Sequence, residues 1–388
     1  MSDPYADIRP YADSEVSGVL SRLLADREML DAVAAFRFGV LARAIPFVLR
    51  PAVRWYLARQ VRSVDSVAGL QSVIRHYMDR MIESTTAGFS VSGLDGLDPG
   101  TPYLFISNHR DIAMDPAFIN YALHSKGRDT VRIAIGDNLL TKPWVSDLMR
   151  LNRSFIVRRS ASGPRELFAR SRQLSDYIRH SIREELAPIW IAQREGRAKD
   201  GIDRTEPAII KMLTLGRNKA TESFPAYVAG LNIVPVSISY ELDPCDAVKA
   251  NELWQRRERG AYAKGEQEDV ASIGMGIAGH KGRVHVGFGR PLGEDFESPA
   301  SVAREIDRQV IASYCLHPDN LQAYRMLGGD AAAVQGLQQE AGSISEAVFA
   351  ARIDAIPEPQ RADALAIYAN AVRSKIALRD AGSLHLAH

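Results

Sequence analysis

The stretch SNHRDIAMD, residues 107–115, places a histidine close to two acids that could serve it. A neutral imidazole at His109 can accept the proton of a hydroxyl group, and a carboxylate on its other nitrogen fixes the tautomer and stabilises the imidazolium. Asp111 and Asp115 are the two candidate partners. Histidines often only satisfy hydrogen bonds, so this stretch alone indicates general base chemistry without establishing it.

The elements around the histidine predict an α/β fold. The apolar run YLFISN (103–108) leads into it, and five more runs of strand length follow: VRIAIG (131–136), RSFIVRR (153–159), APIWIA (187–192), NIVPVSISYE (232–241) and RVHVGFG (283–289). Helical segments separate most of these runs, which predicts a central, mostly parallel sheet flanked by helices. Sheets of this kind place their chemistry where strands end.

At 388 residues the chain exceeds what one hydrophobic core usually organises. We expect the α/β domain over residues 91–296, after an N-terminal helical region (1–90) and before a C-terminal one (297–388). In the first region, the longest periodic stretches are Val16–Ala35 and Val67–Ile82.

Composition excludes several classes of function. The net charge of +1 gives no reason to expect nucleic acid binding. Cys245 and Cys315 stand alone, so neither a disulfide framework nor a zinc site is indicated, and a reducing compartment is expected. No metal-ligand spacing such as H-E-x-x-H occurs. The polar N-terminus MSDPYADIRP does not resemble a signal peptide, so we do not expect export.

The stretch GMGIAG (274–279) matches a nucleotide-binding pattern. Such a site needs a strand before the glycines and a helix after them, whereas here the glycines lead into the predicted strand RVHVGFG, so we do not expect a nucleotide site.

The segment Ala34–Arg62 mixes aromatic and aliphatic residues with arginines and contains no acid. This composition is typical of helices that lie in a membrane interface. Pro46 and Pro51 are expected to break the segment into two pieces. The alternative is a pair of ordinary packed helices with solvated arginines.

Three later stretches extend the histidine motif in a fixed order: RSFIVRRS after GDNLLTKPW, then WIAQREGRAKDG, then NIVPVSISYE. Together the four blocks resemble the glycerolipid acyltransferases, most closely their glycerol-3-phosphate branch. The resemblance covers about residues 100–292 and includes GRVHVGFGRPL, which is similar to the family's late strand and turn.

The resemblance implies roles for individual residues. His109 would be the catalytic base, and the residues that bind the acceptor phosphate would be Arg158, Arg159, Gly196 and Arg197. Asn108 and Pro235 would shape their motifs. Matching MDP to the family's ending selects Asp115 as the partner of His109, with Asp111 as the alternative, although five residues rather than four then intervene. In the third block, WIAQREGRAKDG, aligning the pair Gly196 and Arg197 with the end of the family's Glu-Gly-x-Arg pattern places Arg194 where the family has a glutamate.

The implied reaction moves a fatty acyl group from acyl-CoA or acyl-carrier protein to the hydroxyl of glycerol-3-phosphate, without a cofactor. Backbone N–H groups at the helix after His109 are candidate oxyanion donors. Two alternatives remain open: an acyltransferase for lysophosphatidate or another lyso-lipid, and a non-catalytic lipid-binding protein on the same fold. We expect a cytoplasmic protein on the cytoplasmic face of an anionic membrane.

Overall fold

The computed structural model describes residues 3–160, 162–265 and 268–382. The chain forms two compact units. The smaller combines the residues up to Arg80 with Val131–Tyr177, and the larger combines Met81–Thr130 with the residues from Ile178 onward. The three regions expected from the sequence, 1–90, 91–296 and 297–388, stay a prediction.

The secondary structure alternates in the middle of the chain and is helical at both ends. The strands are β1 (Gly88–Ser92), β2 (Leu104–Ser107), β3 (Arg132–Gly136), β4 (Ser154–Val157), β5 (Ile189–Ala192), β6 (Ile233–Tyr240) and β7 (Arg283–Phe288). The helices are α1 (Asp13–Ala25), α2 (Arg27–Phe38), α3 (Val40–Ala44), α4 (Pro46–Gln60), α5 (Val67–Thr85), α6 (Met114–Ser125), α7 (Pro143–Leu151), α8 (Pro164–Arg183), α9 (Pro207–Leu213), α10 (Phe224–Ala229), α11 (Asp246–Arg259), α12 (Glu268–Ala278), α13 (Pro299–Ser313), α14 (Pro318–Met326), α15 (Glu346–Asp354) and α16 (Arg361–Asp380).

The larger unit contains five strands in the order β1-β7-β6-β2-β5. Strand β2 runs parallel to both β5 and β6, with Ser107 paired to Ala192 on one side and to Val236 on the other. Strand β7 runs antiparallel to β6 and parallel to β1. Every residue of β2 and β6 is buried, as expected for central strands covered on both faces. The residues after β2 and β5 therefore emerge at the same edge of this sheet.

The smaller unit contributes the parallel pair β3 and β4, in which Ile133 pairs with Ser154. Its helices enclose an apolar core built mainly from α1 and α2, with Val16, Leu20 and Leu30 buried. The predicted fold class is confirmed: an α/β protein with a mostly parallel sheet, flanking helices and helical regions at both ends. All six predicted strands are present. Strand β1 was not among the predicted strands, and it crosses the expected boundary between residues 90 and 91.

The prediction for the N-terminal helices was partly wrong. The periodic stretch Val16–Ala35 is two helices, because the Asp26 side chain accepts a hydrogen bond from the Met29 N–H at 2.8 Å and caps α2. Within Ala34–Arg62 the chain breaks at Gly39, whose φ of +56° favours glycine. Pro46 begins α4, where its missing N–H costs nothing, but Pro51 lies inside α4 and does not end it.

Candidate active site

The imidazole of His109 lies just past the end of β2 and is held by one acid. Its Nδ1 is 2.9 Å from Oδ2 of Asp115, the second residue of α6. The ring of Trp190, from β5, approaches it edge-on with the centroids 5.8 Å apart. Only 14% of the His109 side chain is exposed. Its Nε2 has no hydrogen-bond partner within residues 3–160, 162–265 and 268–382, so this nitrogen is available to a substrate.

The Asp115 carboxylate is fully buried and accepts four hydrogen bonds. Besides His109, its Oδ2 accepts the backbone N–H groups of Arg110 at 2.7 Å and of Asp111 at 2.9 Å. Its Oδ1 accepts the hydroxyl of Tyr240, at the end of β6, at 2.8 Å. A carboxylate with this many donors is held in one orientation. The extra residue between histidine and acid is thus absorbed in a turn around the carboxylate.

Asp111, the alternative partner, has another position. Its Oδ1 accepts the backbone N–H groups of Ala113 at 3.0 Å and Met114 at 2.8 Å, so it satisfies donors at the start of α6. Burial, and then the charge of Asp115, raise the pKa of the Asp111 carboxyl. Carboxylates therefore occupy four backbone N–H groups of this turn, those of Arg110, Asp111, Ala113 and Met114. The expectation that N–H groups at the start of α6 serve as oxyanion donors stays a prediction.

The turn is anchored to the sheet through the residue before His109. The side-chain amide of Asn108 donates to the carbonyl of Ile238 at 3.0 Å and accepts from its N–H at 2.8 Å, which completes the pairing with β6. The same amide donates to Asp203 at 3.1 Å. These bonds tie the turn to β6, and the motif-shaping role of Asn108 stays a prediction. Pro235, the other motif-shaping candidate, lies within β6 opposite Ile106, and its carbonyl accepts the N–H of Gly289 at 2.8 Å.

Charged side chains buried beneath the turn fix the residue after His109. The Arg110 guanidinium donates to Asp203 at 2.7 Å and to the carbonyl of Gly201 at 3.1 Å. The Lys249 ammonium, from α11, donates to the carbonyl of Arg110 at 2.7 Å and pairs with Asp243. Burial alone would raise the pKa of the Asp243 carboxyl, but Lys249 holds it below its usual value. Sequence patterns gave no signal for Lys249 or Asp203, whereas Tyr240 stands within the quoted NIVPVSISYE block.

The loop after β5 brings Arg197 to the histidine turn. The N–H of Ala198 donates to the carbonyl of His109 at 2.7 Å, and Gly196 makes the preceding turn with a φ of +73°. The guanidinium Nη2 donates to Ser272 on α12 at 3.3 Å. Its Nη1 is buried and has no hydrogen-bond partner in the described ranges. A buried donor of this kind is costly unless a ligand or water completes it.

Comparisons with known proteins agree with this geometry. Residues 88–239 match the family model described as Acyltransferase, which covers His109, Asp115 and Arg197. Over these residues the chain therefore contains an acyltransferase domain. A search of the curated proteins finds no match. Among solved structures, the 1-acyl-sn-glycerophosphate (LPA) acyltransferase PlsC from Thermotoga maritima matches with a TM-score of 0.35 and 11% identity, over 76% of this chain and 91% of that one.

This O-acyltransferase therefore uses an acyl donor and a hydroxyl acceptor. Its motif GMGIAG is part of the helix α12, and Gly276 there packs against the Asp111 carboxylate so closely that a Cβ would overlap Oδ2. The glycine pattern thus has a packing role next to the histidine turn.

The other two predicted phosphate ligands of the acyltransferase lie in the smaller unit, after β4. Arg158 forms an ion pair with Asp7 at 3.0 Å, and about a third of its side chain, 35%, is exposed. The backbone N–H of Arg159 donates to Asp137 at 3.2 Å, and its guanidinium lies over Gly136. Both are in a different unit from His109, so their part in substrate binding stays a prediction.

Proposed function

We propose that the protein transfers a fatty acyl group from acyl-CoA or acyl-carrier protein to the hydroxyl of glycerol-3-phosphate. One observation carries the proposal: the Asp115 carboxylate holds Nδ1 of His109 at 2.9 Å while Nε2 has no partner in the described residues. An imidazole whose Nδ1–H is donated to a carboxylate carries its lone pair on Nε2. That nitrogen can take the proton of an acceptor hydroxyl, which a lipid-binding protein without catalysis does not need.

The proposed reaction proceeds without an enzyme-bound acyl group. Nε2 of His109 removes the hydroxyl proton as the oxygen attacks the thioester carbonyl, and the Asp115 carboxylate stabilises the imidazolium. Collapse of the tetrahedral intermediate breaks the carbon–sulfur bond. The leaving thiolate takes the proton from Nε2, which returns the imidazole to its neutral form and releases the thiol and the ester.

Arginine donors are proposed to bind the phosphate of the acceptor. The Arg197 loop is tied to the His109 carbonyl through Ala198, and the buried Nη1 of Arg197 has no partner in the described part of the chain. A planar guanidinium donates in a fixed fork that matches phosphate oxygens. Arg158 and Arg159 are proposed as further phosphate ligands on the basis of the sequence resemblance alone.

A panel of substrates tests the proposed acceptor. Purified protein would be assayed with palmitoyl-CoA and with palmitoyl-acyl-carrier protein, each against glycerol-3-phosphate and lysophosphatidate. The proposal expects the higher kcat/KM with glycerol-3-phosphate. Transfer to lysophosphatidate alone would replace it with the second candidate, and no transfer from either thioester would refute both.

Lysophosphatidate is the second candidate because the N-terminal helices favour an acceptor held in a lipid surface. Large apolar side chains are exposed on α2 and α4: Phe36 is 64% exposed, Phe47 73% and Trp55 65%. Arginines accompany them, and Arg59 lies over the Trp55 ring at 5.9 Å from its centroid. None of the described helices is long and apolar enough to cross a membrane.

We propose that these helices lie on an anionic membrane, with the aromatic side chains toward the acyl chains and the arginines toward lipid phosphates. Co-sedimentation with vesicles containing anionic lipid, at low and high salt, tests this. Phe47→Ser and Trp55→Ser should each weaken binding, whereas Leu186→Ser, which changes a similarly exposed side chain (62%) in the larger unit, should not. Equal binding by all three variants would contradict the proposal.

A further inference from the structure

The hydroxyl of Tyr240 reaches the acid that serves His109 and not the histidine itself. We propose that Tyr240 is a positioning residue for acyl transfer, acting through the Asp115 carboxylate. The inference rests on the proposed role of His109 as general base. In this arrangement Tyr240 does not contact His109, so its contribution is to hold the Asp115 carboxylate, which in turn orients the imidazole of His109.

Each oxygen of the Asp115 carboxylate has a distinct set of donors. Oδ2 is shared by His109 Nδ1 and by the backbone N–H groups of Arg110 and Asp111. Oδ1 accepts only from the Tyr240 hydroxyl among the described residues, at 2.8 Å. Asp115 is 0% exposed, so bulk water does not replace a missing donor. Without the hydroxyl, Oδ1 is left buried and unpaired, and only the donors to Oδ2 still orient the carboxylate toward Nδ1.

Tyr240 itself is held rigidly. It is the last residue of β6. Two residues earlier, the side-chain amide of Asn108 makes hydrogen bonds with both the N–H and the carbonyl of Ile238. Its ring is 6% exposed and meets the ring of Phe118 edge-on, with the centroids 5.9 Å apart. Strand β6 therefore carries the tyrosine at a fixed distance from α6.

The tyrosine can act only as a donor here. Burial, followed by the negative charges of Asp115 and Asp111, raises the pKa of its hydroxyl well above the usual value. The group therefore keeps its proton near neutral pH. A phenolic O–H facing an ionised carboxylate makes a charge-assisted hydrogen bond, which is about twice as strong as a neutral one.

Tyr240→Phe separates this role from packing, because it keeps the ring and removes only the hydroxyl. We expect kcat to fall by about 10- to 100-fold, the range that a lost hydrogen bond to a charged group implies, while KM for both substrates stays within about twofold. A purely structural tyrosine would lower the melting temperature and leave kcat of the folded enzyme unchanged. That second result would overturn the proposal.

Tyr368→Phe is the matched control. Tyr368 is also buried, donates its hydroxyl to a carboxylate, Asp246, at 2.7 Å, and borders the same small cavity as Tyr240. The control should lose a similar amount of stability without the loss of kcat. If both variants lose kcat equally, the effect comes from the surrounding packing, and the assignment of Tyr240 fails.

A double-mutant cycle with Asp115→Asn tests the path of the effect. If Tyr240 acts through Asp115, adding Tyr240→Phe to the asparagine variant should lower kcat by less than about twofold more. Additive losses would refute the path. The cycle also separates two failures. An unaffected Asp115→Asn enzyme removes Asp115 from the proposed mechanism, whereas an impaired Asp115→Asn enzyme beside a normal Tyr240→Phe enzyme removes only the present inference.

Discussion

Asp115→Asn removes the negative charge beside His109 and changes almost nothing else. The asparagine oxygen can still accept the N–H groups of Arg110 and Asp111, and its amide can donate to Tyr240, whose hydroxyl would then turn. What is lost is the attraction between the carboxylate and the imidazolium formed in the transition state. With Nδ1 and Oδ2 2.9 Å apart, the two charge centres lie about 4 Å apart. At an effective dielectric constant of about 20 such a pair interacts by about 4 kcal/mol, which corresponds to about a thousandfold in rate.

Steady-state acyl transfer, with kcat and KM measured for both substrates, checks this magnitude. We expect kcat to fall by about three powers of ten and KM to change little, because the lost interaction exists only in the transition state. Asp111→Asn is the control, since that side chain accepts two N–H groups of α6 and does not contact the imidazole. Its effect on kcat should stay below about tenfold. A larger loss in the Asp111 variant than in the Asp115 variant would refute the assignment of the carboxylate.

Three other substitutions test separate parts of the structure. Arg197→Ala should raise KM for the phosphorylated acceptor by the equivalent of about 1.5–3 kcal/mol, with partial rescue by lysine, and an unchanged KM would exclude it from phosphate binding. Gly276→Ala should destabilise the protein by about 1–3 kcal/mol in urea unfolding and lower kcat, because a Cβ there overlaps the Asp111 carboxylate. Burial, and then the charge of Glu241, raise the pKa of Asp319 to about 8. The protonated carboxyl therefore stabilises the fold fully below the pKa of the unfolded state, and this contribution is lost as pH rises through about 8. Asp319→Asn should therefore gain stability relative to the wild type at pH 9 but not at pH 4, and equal melting temperatures of the two proteins at pH 9 would contradict this.

The strands that the sequence predicted share a physical cause. Runs such as YLFISN and NIVPVSISYE form β2 and β6, whose residues are all buried. A strand that is covered on both faces has a continuous apolar sequence. Strand β1 lies at the end of the sheet order and pairs only with β7, so GFSVS needs fewer apolar residues and gives a weak signal. Pro51 was expected to break a helix, yet α4 continues through it to Gln60, and only the backbone hydrogen bond that its missing N–H would donate is lost.

The candidate site was predictable where its residues are close in the chain. His109 and Asp115 are six positions apart and belong to one motif, and the structure joins them by a hydrogen bond. The partners that hold them come from far away: Tyr240 is 125 residues from Asp115, and Lys249 is 139 residues from Arg110. Spacing carries no information about contacts at such separations, because they depend on how β6 and α11 pack in the folded chain. The contact of Gly276 with Asp111 is also distant in the chain. The motif around Gly276 matches a nucleotide-binding pattern, whereas in the structure this glycine packs against the Asp111 carboxylate.

The role of His109 as general base is the central claim, and the acyl-transfer rate of His109→Ala tests it most directly. The alanine variant would be compared with the wild type and with His180→Ala, a control that removes a partly exposed histidine paired with Glu184. We predict that His109→Ala lowers kcat by several powers of ten at an unchanged melting temperature, while the control keeps full activity. Near-normal turnover by a folded His109→Ala enzyme would contradict the account.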